Sequence, residues 1–382
     1  MKIAIVADSH FDEARRFDEC IRIHSWIAAD IMERGVDLVL HSGDIFEAKS
    51  TPTERRAVAD WLTQVASHCP VVIVRGNHDH LGDLPLFSRL RTKHPIIVEE
   101  RAGVHIVAGV AVACLAWPRK AELLARGVDA GQALRDVIQG LGAEMVQHDG
   151  PRVLLSHAMV RGSMTSTGQP LVGADMELGI EDLALARAHF VALGHIHKGQ
   201  SWRHEDVEIV YPGSPRRTAF GEVETKHYTV AEFIYHDGDL TCEDAPGLRW
   251  WCDDVEFVET PATPMLLLEA EWDGSQLIGN HRLQNVTGAE CRLRYSVSAD
   301  QRDAAAHWAR ESKERLLAAG ALSVKLEEVV RATTRAKAPE VGEAVTLKDK
   351  LTAFWFSKGT TPEAPRKARL FDRLSTLEGA VQ

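Results

Sequence analysis

The chain is informative first for what it does not contain. No apolar run is long enough to cross a bilayer, and Met1-Lys2-Ile3-Ala4-Ile5-Val6 enters a strand without the layout of a signal peptide. Six cysteines, Cys20, Cys69, Cys114, Cys242, Cys252 and Cys291, are scattered with no Cys-x-x-Cys pair. That distribution favours reduced, structurally buried thiols over a zinc site, and a cytoplasmic protein with no membrane attachment is the expectation. There is no internal repeat and no sustained heptad pattern. An excess of positive charge is also missing: the formal net charge of −11 argues against a protein that simply coats nucleic acid. It does not exclude an enzyme acting on nucleic acid, because bound divalent cations supply positive charge that the count omits.

What is present is ordinary globular composition over an unusual length. With 382 residues, 45% hydrophobic and 26% charged, the chain is too long for one core and predicts two or three domains. Charge is uneven along it. Between Arg331 and Arg373, ten Lys and Arg face five Asp and Glu, so the tail carries the opposite sign to the acidic body.

The first part alternates apolar β-branched runs with amphipathic stretches. Strands are predicted at 1–8, 36–41 and 71–74, with helices at 12–34 and 53–67 between them, the second started by Pro52. This β-α-β-α-β opening predicts a doubly wound sheet. Further strands are expected at 96–98, 104–107, 110–115, 152–156 and 189–193, with helices at about 120–147 and 181–187. A polar, glycine-rich loop spans 161–173. Residues 207–233 read as antiparallel strands flanking Tyr211-Pro212-Gly213-Ser214-Pro215. Beyond Pro261 a small α+β domain is expected, with strands at 265–272, 290–298 and 321–330 and a helix at 303–319. A linker and two short amphipathic helices close the chain, bearing Leu347, Leu351, Phe354 and Trp355, then Leu370, Leu374 and Leu377.

Chemistry concentrates at the strand ends. Five of them terminate in Asp8 and His10, Asp44, Asn77 and His78, His157, and His195 and His197. Open α/β sheets place their sites in the crevice at the carboxyl ends of parallel strands. Imidazole, carboxylate and amide oxygen together suit manganese, iron or zinc. Eight such groups exceed the needs of one ion and suit two ions about 3.5–4 Å apart, with a carboxylate between them. The absence of thiolate from the set speaks against structural zinc.

These motifs, Asp8-x-His10, Gly43-Asp44, Gly76-Asn77-His78-Asp79, His157 and Gly194-His195-x-His197, resemble those of the calcineurin-like metallophosphoesterases. Val191 to His197, Tyr211 to Pro215 and Phe220-Gly221-Glu222 narrow the resemblance to the SbcD-type nucleases, the nuclease subunits of a double-strand-break repair nuclease–ATPase complex. The motif resemblance covers about residues 1–235. It implies a four-layer α/β sandwich over 1–258, a capping domain at 262–331 that shapes DNA access, a linker at 332–345 and a helical tail at 346–382. It implies two divalent ions, manganese by expectation. Asp8, His10 and His197 would hold one, Asn77, His157 and His195 the other, with Asp44 bridging. An activated water would attack phosphorus in line, and His78 would stabilise charge and protonate the departing 3′ oxygen. Asp79 is either an orienting partner of His78 or a turn-forming carboxylate.

The implied partners are DNA and a coiled-coil ATPase of the SbcC type, gripped by Leu351, Phe354, Trp355, Leu370 and Leu374; a homodimer is also open. Packing of the tail on its own chain is the alternative, as a purely structural appendage is for residues 262–331. Two departures stand out: Phe11-Asp12 follow His10 where family members often have Leu-Gly, and Glu47 occupies a position where some carry His. The predicted activity is metal-dependent exo- and endonucleolytic hydrolysis of DNA in end processing. The alternative is a stand-alone enzyme on small phosphodiesters or phosphoproteins.

Overall fold

The computed structural model describes residues 1–118, 129–166, 177–235, 250–280, 285–331, 341, 344 and 346–379, excepting the side chains of 375–379. Parts of the 120–147 helix and 161–173 loop, nearly all of the 332–345 linker, Cys242 and Leu377 therefore lie outside the description. The other five cysteines are free. The chain divides into two compact units, Met1–Leu267 with Val286–Arg292 and Leu317–Val324, and Leu268–Asn285 with Leu293–Leu316 and Lys325–Gln382.

The larger unit opens with β1 (Lys2–Val6), α1 (Phe17–Glu33), β2 (Leu38–His41), α2 (Pro52–Ala66), β3 (Val71–Val74) and β4 (Ile96–Glu99). These strands run parallel in sequential order, Ile3 beside Leu38, Val39 beside Val71 and Val71 beside Ile96. A second sheet begins with the hairpin β5 (Ala102–Val107) and β6 (Val110–Leu115). It continues through α3 (Ala130–Met145), β7 (Arg152–His157), a short pair β8 (Met159–Val160) and β9 (Glu177–Leu178), then α4 (Ile180–Ala184), β10 (Phe190–Gly194), β11 (Gln200–His204) and β12 (Val207–Tyr211). The chain then returns to the first sheet as β13 (His227–Tyr235) and β14 (Trp250–Glu259). The resulting orders are β14-β13-β1-β2-β3-β4 and β11-β12-β10-β7-β6-β5.

The doubly wound expectation is corrected by this order. Because β1 to β4 advance in one direction, right-handed crossovers put α1 and α2 on the same face. Their apolar residues, Ile23, Ile27, Ile31, Val58, Leu62 and Val65, pack with Ala4, Val6, Val39 and Ile73 in one core. The opposite face of the same strands, Ile3, Ile5, Leu38, Leu40, Val72 and Val74, meets Val112, Cys114, Val153, Leu155, Phe190 and Ala192 of the second sheet. A third core joins α3 and α4 to the outer face of that sheet through Leu134, Ile138, Leu183, Leu154, Val191 and Leu193. The layers are helix, sheet, sheet, helix, so the fold is a four-layer α/β sandwich. Strands covered on both faces explain the continuous apolar runs.

Two local expectations shift as well. α1 starts at Phe17 rather than Asp12, because the chain beyond β1 is tied to the loop after β2: His10 and Phe11 donate to the carbonyls of Asp44 and Ile45 at 3.0 and 2.8 Å, and Asp12 caps the next turn. Residues 207–211 and 227–235 do not pair with each other. β12 lies between β10 and β11, whereas β13 lies between β1 and β14. By contrast α2 begins as expected, with Pro52 in its first turn and Thr51 and Glu54 forming a reciprocal capping box.

The smaller unit contributes to a four-stranded sheet ordered β16-β15-β17-β18, from β15 (Met265–Trp272), β16 (Leu277–Gly279), β17 (Glu290–Ser298) and β18 (Ser323–Arg331). β17 alternates buried Leu293, Tyr295 and Val297 with more open residues, and α5 (Arg302–Ala318) buries Ala305, Ala309, Ser312 and Leu316 at helical spacing. The tail forms α6 (Leu347–Ser357) and α7 (Ala364–Gly379), the latter starting two residues past Pro362. Trp355 stacks on Phe371 with ring centroids 6.0 Å apart. No residue of α6 is buried, and Phe356 is 82% exposed. Leu351, Trp355, Leu370 and Leu374 are half-buried and Phe354 is exposed.

Candidate metal centre

The five polar strand ends of the sequence converge, three from the first sheet and two from the second. The loops after β1 and β2 are zipped together, with Asp8 donating to the Gly43 carbonyl at 3.1 Å and His10 to that of Asp44 at 3.0 Å. This geometry puts Asp8, His10 and Asp44 in the left-handed region, with φ of 51°, 47° and 54°, and His195 at 107°. Each such residue costs about 1–3 kcal/mol, so surrounding contacts must over-determine it.

Asp79 supplies much of that constraint. Its buried carboxylate accepts from the main-chain N–H groups of Asp44, Gly76 and Phe46, each at 2.9 Å. Of the two readings of Asp79, the contact with His78 is not the one seen. The His78 ring is held instead by the Glu47 carbonyl, 2.8 Å from Nδ1, because three buried amides claim Asp79 first. At Gly76 a Cβ would fall on the Asp44 carboxylate, so glycine is required for close approach. At Gly43 backbone conformation and close approach both require it: φ is 92°, and a Cβ would lie 2.7 Å from His157 Nδ1.

Around Asp44 the candidate ligands form two groups. His10 Nε2 and His197 Nε2 are 3.0 Å apart, with His10 Nε2 3.9 Å from Asp44 Oδ2. His157 Nε2 lies 2.8 Å from Asn77 Oδ1 and 3.3 Å from Asp44 Oδ2, and His195 Nδ1 lies 2.9 Å from Asn77 Oδ1. Asp8 is fixed by the His195 main-chain N–H, 2.9 and 3.2 Å from its two oxygens. Donor atoms of Asp8, His10 and His197, and of Asp8, Asp44 and His157, are each close enough to share an ion.

Outer partners settle which ring nitrogens face inward. His157 Nδ1 donates to the Ser42 carbonyl at 2.7 Å and His197 Nδ1 meets Glu222 Oε1 at 3.2 Å, whereas His10 Nδ1 lies 2.9 Å from Glu47 Oε2 without the geometry of a hydrogen bond. Protons held outside leave lone pairs inside. His10 Nε2 and His197 Nε2 then face each other, and His157 Nε2 faces only oxygens. Such contacts repel unless a proton or cation lies between them. A nitrogen and oxygen donor set without thiolate, gathered in this way, fits divalent cations.

The electrostatics agree. Burial alone would raise the Asp44 carboxyl, but His157, His10 and the His78 amide hold it well below the usual carboxylate range. Burial works against charge on His157 too, yet Asp44 beside it brings the ring up to about 9. Burial, reinforced by a charged His157, pushes His195 down to about 3. For Asp79, burial and the Asp44 charge raise the carboxyl against the pull of its amide donors.

Every candidate metal ligand, with His78, thus lies in one cluster of the larger unit, while Leu351, Phe354, Trp355, Leu370 and Leu374 belong to the tail. Sequence reasoning missed the supporting residues. Glu47 was visible only as a departure, and Glu222 only as part of a resemblance. Lys226, 2.7 Å from Glu222 Oε2, and the pair His24 and His41, whose Nε2 atoms lie 2.7 and 2.8 Å from Ser9 Oγ, had no local signal. Both histidines are buried. Their polar link pins Ser9 between Asp8 and His10.

Comparison with known proteins bears on this cluster. The chain is 26% identical over 252 residues to the SbcD component of the nuclease SbcCD from Bacillus subtilis (strain 168), a match covering 58% of this chain and 63% of that protein. The match thus spans less than two thirds of the relative's length. Among solved structures, similarity extends to GAP50, the anchor in the inner membrane complex of Plasmodium (TM-score 0.40, 14% identity, 60% of this chain and 80% of that one). It also extends to a dimetal phosphatase from Danio rerio (TM-score 0.39, 13% identity, 60% and 92%). Residues 1–234 match the calcineurin-like phosphoesterase superfamily domain, and the chain belongs to that superfamily.

Proposed function

We propose that the protein is a DNA nuclease that hydrolyses phosphodiester bonds with two divalent cations, manganese by preference, and works with a coiled-coil ATPase. The observation that carries the hydrolytic part is the convergence of nitrogen and oxygen ligand atoms on Asp44: four imidazoles, two carboxylates and an amide oxygen. When bound, two divalent ions polarise a phosphoryl oxygen and supply a nucleophilic water near neutral pH.

The chain's own groups do the rest. Asp8, His10 and His197 would hold one cation, Asn77, His157 and His195 the other, and Asp44 would serve both. His78 is exposed, and its main-chain N–H is anchored on Asp44 Oδ1 at 2.8 Å. With Nδ1 committed to the Glu47 carbonyl, Nε2 is the atom available to a substrate. There the imidazolium form donates its Nε2 proton to the departing oxygen and is left neutral, a role worth about 10²–10⁴ in rate. Asp79 acts at a distance, by holding the Asp44 and Gly76 amides in place.

The choice of DNA is supported by the nuclease relative and by the motif resemblance around Tyr211–Pro215 and Phe220–Glu222. Residues 262–331 govern DNA access. Residues 346–382 present Leu351, Phe354, Trp355, Leu370 and Leu374 to the ATPase. The test uses the full chain with manganese on end-labelled duplex, hairpin and single-stranded DNA beside bis-p-nitrophenyl phosphate. Cleavage of DNA by the wild type and its loss in His78→Ala are expected. Turnover of the small diester with every DNA left intact, alone and with the ATPase, would overturn the substrate class.

A further inference from the structure

The left-handed residues Asp8 and His10 flank Ser9. Ser9 is fully buried, and its hydroxyl oxygen lies 2.7 Å from His24 Nε2 of α1 and 2.8 Å from His41 Nε2 of β2. The direction of these bonds follows from their two ends. His24 Nδ1 is 2.8 Å from the Cys20 carbonyl, which can only accept, so that nitrogen carries a proton. Burial holds the ring neutral, so Nε2 is bare and the Ser9 hydroxyl must donate to it. The Ser9 oxygen is then left to accept from His41 Nε2. The far end agrees independently. The Gly43 main-chain N–H donates to His41 Nδ1 at 3.2 Å, so this ring, also kept neutral by burial, carries its proton on Nε2.

One unbroken chain of donors therefore runs from the Gly43 N–H through His41, Ser9 and His24 to the Cys20 carbonyl. It starts one residue before Asp44, passes between Asp8 and His10, and ends inside α1. Phe11 and Trp61 wall the His24 ring with centroids 4.5 and 4.9 Å away, and Trp61 also reaches His41 at 5.8 Å. The main chain around Ser9 is held as well. Cys20 Sγ donates to the Ser9 carbonyl at 3.6 Å, and the buried Arg216 guanidinium donates to the His10 carbonyl at 2.5 Å. Left-handed residues persist where their surroundings over-determine them, and a buried polar network is rigid when every member is satisfied. The Ser9 side chain ties this loop to α1 and to β2 at once.

We infer that Ser9 is a positioning residue: through the one-way chain Gly43–His41–Ser9–His24–Cys20 it fixes Asp8 and His10 against Asp44, so that these groups are set before any cation arrives. The inference rests on the reading of Asp8, His10 and Asp44 as cation ligands. Ser9 acts through the backbone of its neighbours, and its hydroxyl takes no part in the chemistry. Without that hydroxyl, His24 and His41 lose their shared partner, and Asp8 and His10 relax towards ordinary backbone angles.

Two measurements on the full chain test this. Nuclear magnetic resonance of the metal-stripped wild type with isotope-labelled histidine, assigned with His24→Gln and His41→Gln, should show the proton of His24 on Nδ1 and that of His41 on Nε2. Calorimetric titration with manganese should find Ser9→Ala weaker by about 10–100-fold. At saturating manganese its kcat on bis-p-nitrophenyl phosphate should fall by a similar factor, with KM within about twofold of the wild type. Ser9→Thr keeps the hydroxyl and restores most of the loss. Ser9→Cys keeps the volume with a weaker donor and falls between, and it decides by the same criteria should Ser9→Ala not fold. Either imidazole in the opposite tautomer, Ser9→Ala equal to the wild type, or no recovery in Ser9→Thr and Ser9→Cys would overturn the inference and leave the cation centre standing. Failure of the wild type to take up manganese would overturn both.

Discussion

The strand-end loops of the larger unit and the tail helices use polar and apolar residues in opposite ways. In the loops, charged side chains such as Asp8, Asp44, Asp79 and Glu222 are buried and paired. Asp79 accepts from three amides, and Glu222 joins His197 to Lys226. In the tail, apolar side chains are left open: nothing in α6 is buried, and Phe356 and Phe354 are 82% and 45% exposed. Chemistry is built where the backbone leaves no freedom. A docking element is marked by what its own chain leaves uncovered.

The contrast can be broken or sharpened by substitution. The largest effect is expected at His78, where His78→Ala lowers turnover by about 10²–10⁴-fold while the bound cation measured by atomic absorption stays as in the wild type. A drop under fivefold would remove His78 from the chemistry. Next is Asp79→Asn, which takes the charged acceptor from three buried amides. A loss of about 3 kcal/mol in urea unfolding is expected. A loss below about 1 kcal/mol would show that the loops hold Asp44 without it.

A smaller, graded effect comes from pH. Burial pushes His24 and His189 down to about 3 from an ordinary 6.5, so both rings are neutral in the fold. The unfolded chain takes up those protons near 6.5, whereas the folded chain does so only near 3. Stability from this source is therefore complete above 6.5 and is lost as the pH falls from 6.5 towards 3, at about 1.4 kcal/mol per pH unit for each ring. His189→Gln should flatten the dependence of Tm on pH in that window by one proton, and an unchanged slope would count against a neutral His189. The smallest folding effect is expected in the tail. Phe354→Ser with Phe356→Ser should change stability by less than about 0.5 kcal/mol yet abolish retention on an immobilised coiled-coil ATPase. Retention of that partner by the double variant would separate the tail from docking.

Much of the larger unit was legible because its signal is local. Strands β1, β2, β3, β7 and β10 are apolar runs that stop in Asp8, Asp44, Asn77, His157 and His195, and each strand is where the pattern puts it. The pairing of two sheets was not legible from the pattern alone, since Ile3 and Leu40 read the same whether a helix or a second sheet covers them. Strands β11 and β14 escaped because edge strands such as Gln200–His204 and Trp250–Glu259 mix polar with apolar residues and lack a buried run. Supporting residues escaped for another reason. Glu47, Glu222 and Lys226 gain their roles only from neighbours distant in sequence, and no spacing rule marks a carboxylate that will stand behind an imidazole.

The order of the strands also sets a timetable for synthesis. Asp8 emerges first, but the last member of its group is His197, and β1 waits for β13 before Lys2 can sit beside Glu232. On a chain made from its amino end, β1 therefore keeps one flank unpaired while everything between the two strands is made. The centre cannot be assembled piecemeal, and a truncated product ending before residue 197 lacks a complete ligand set.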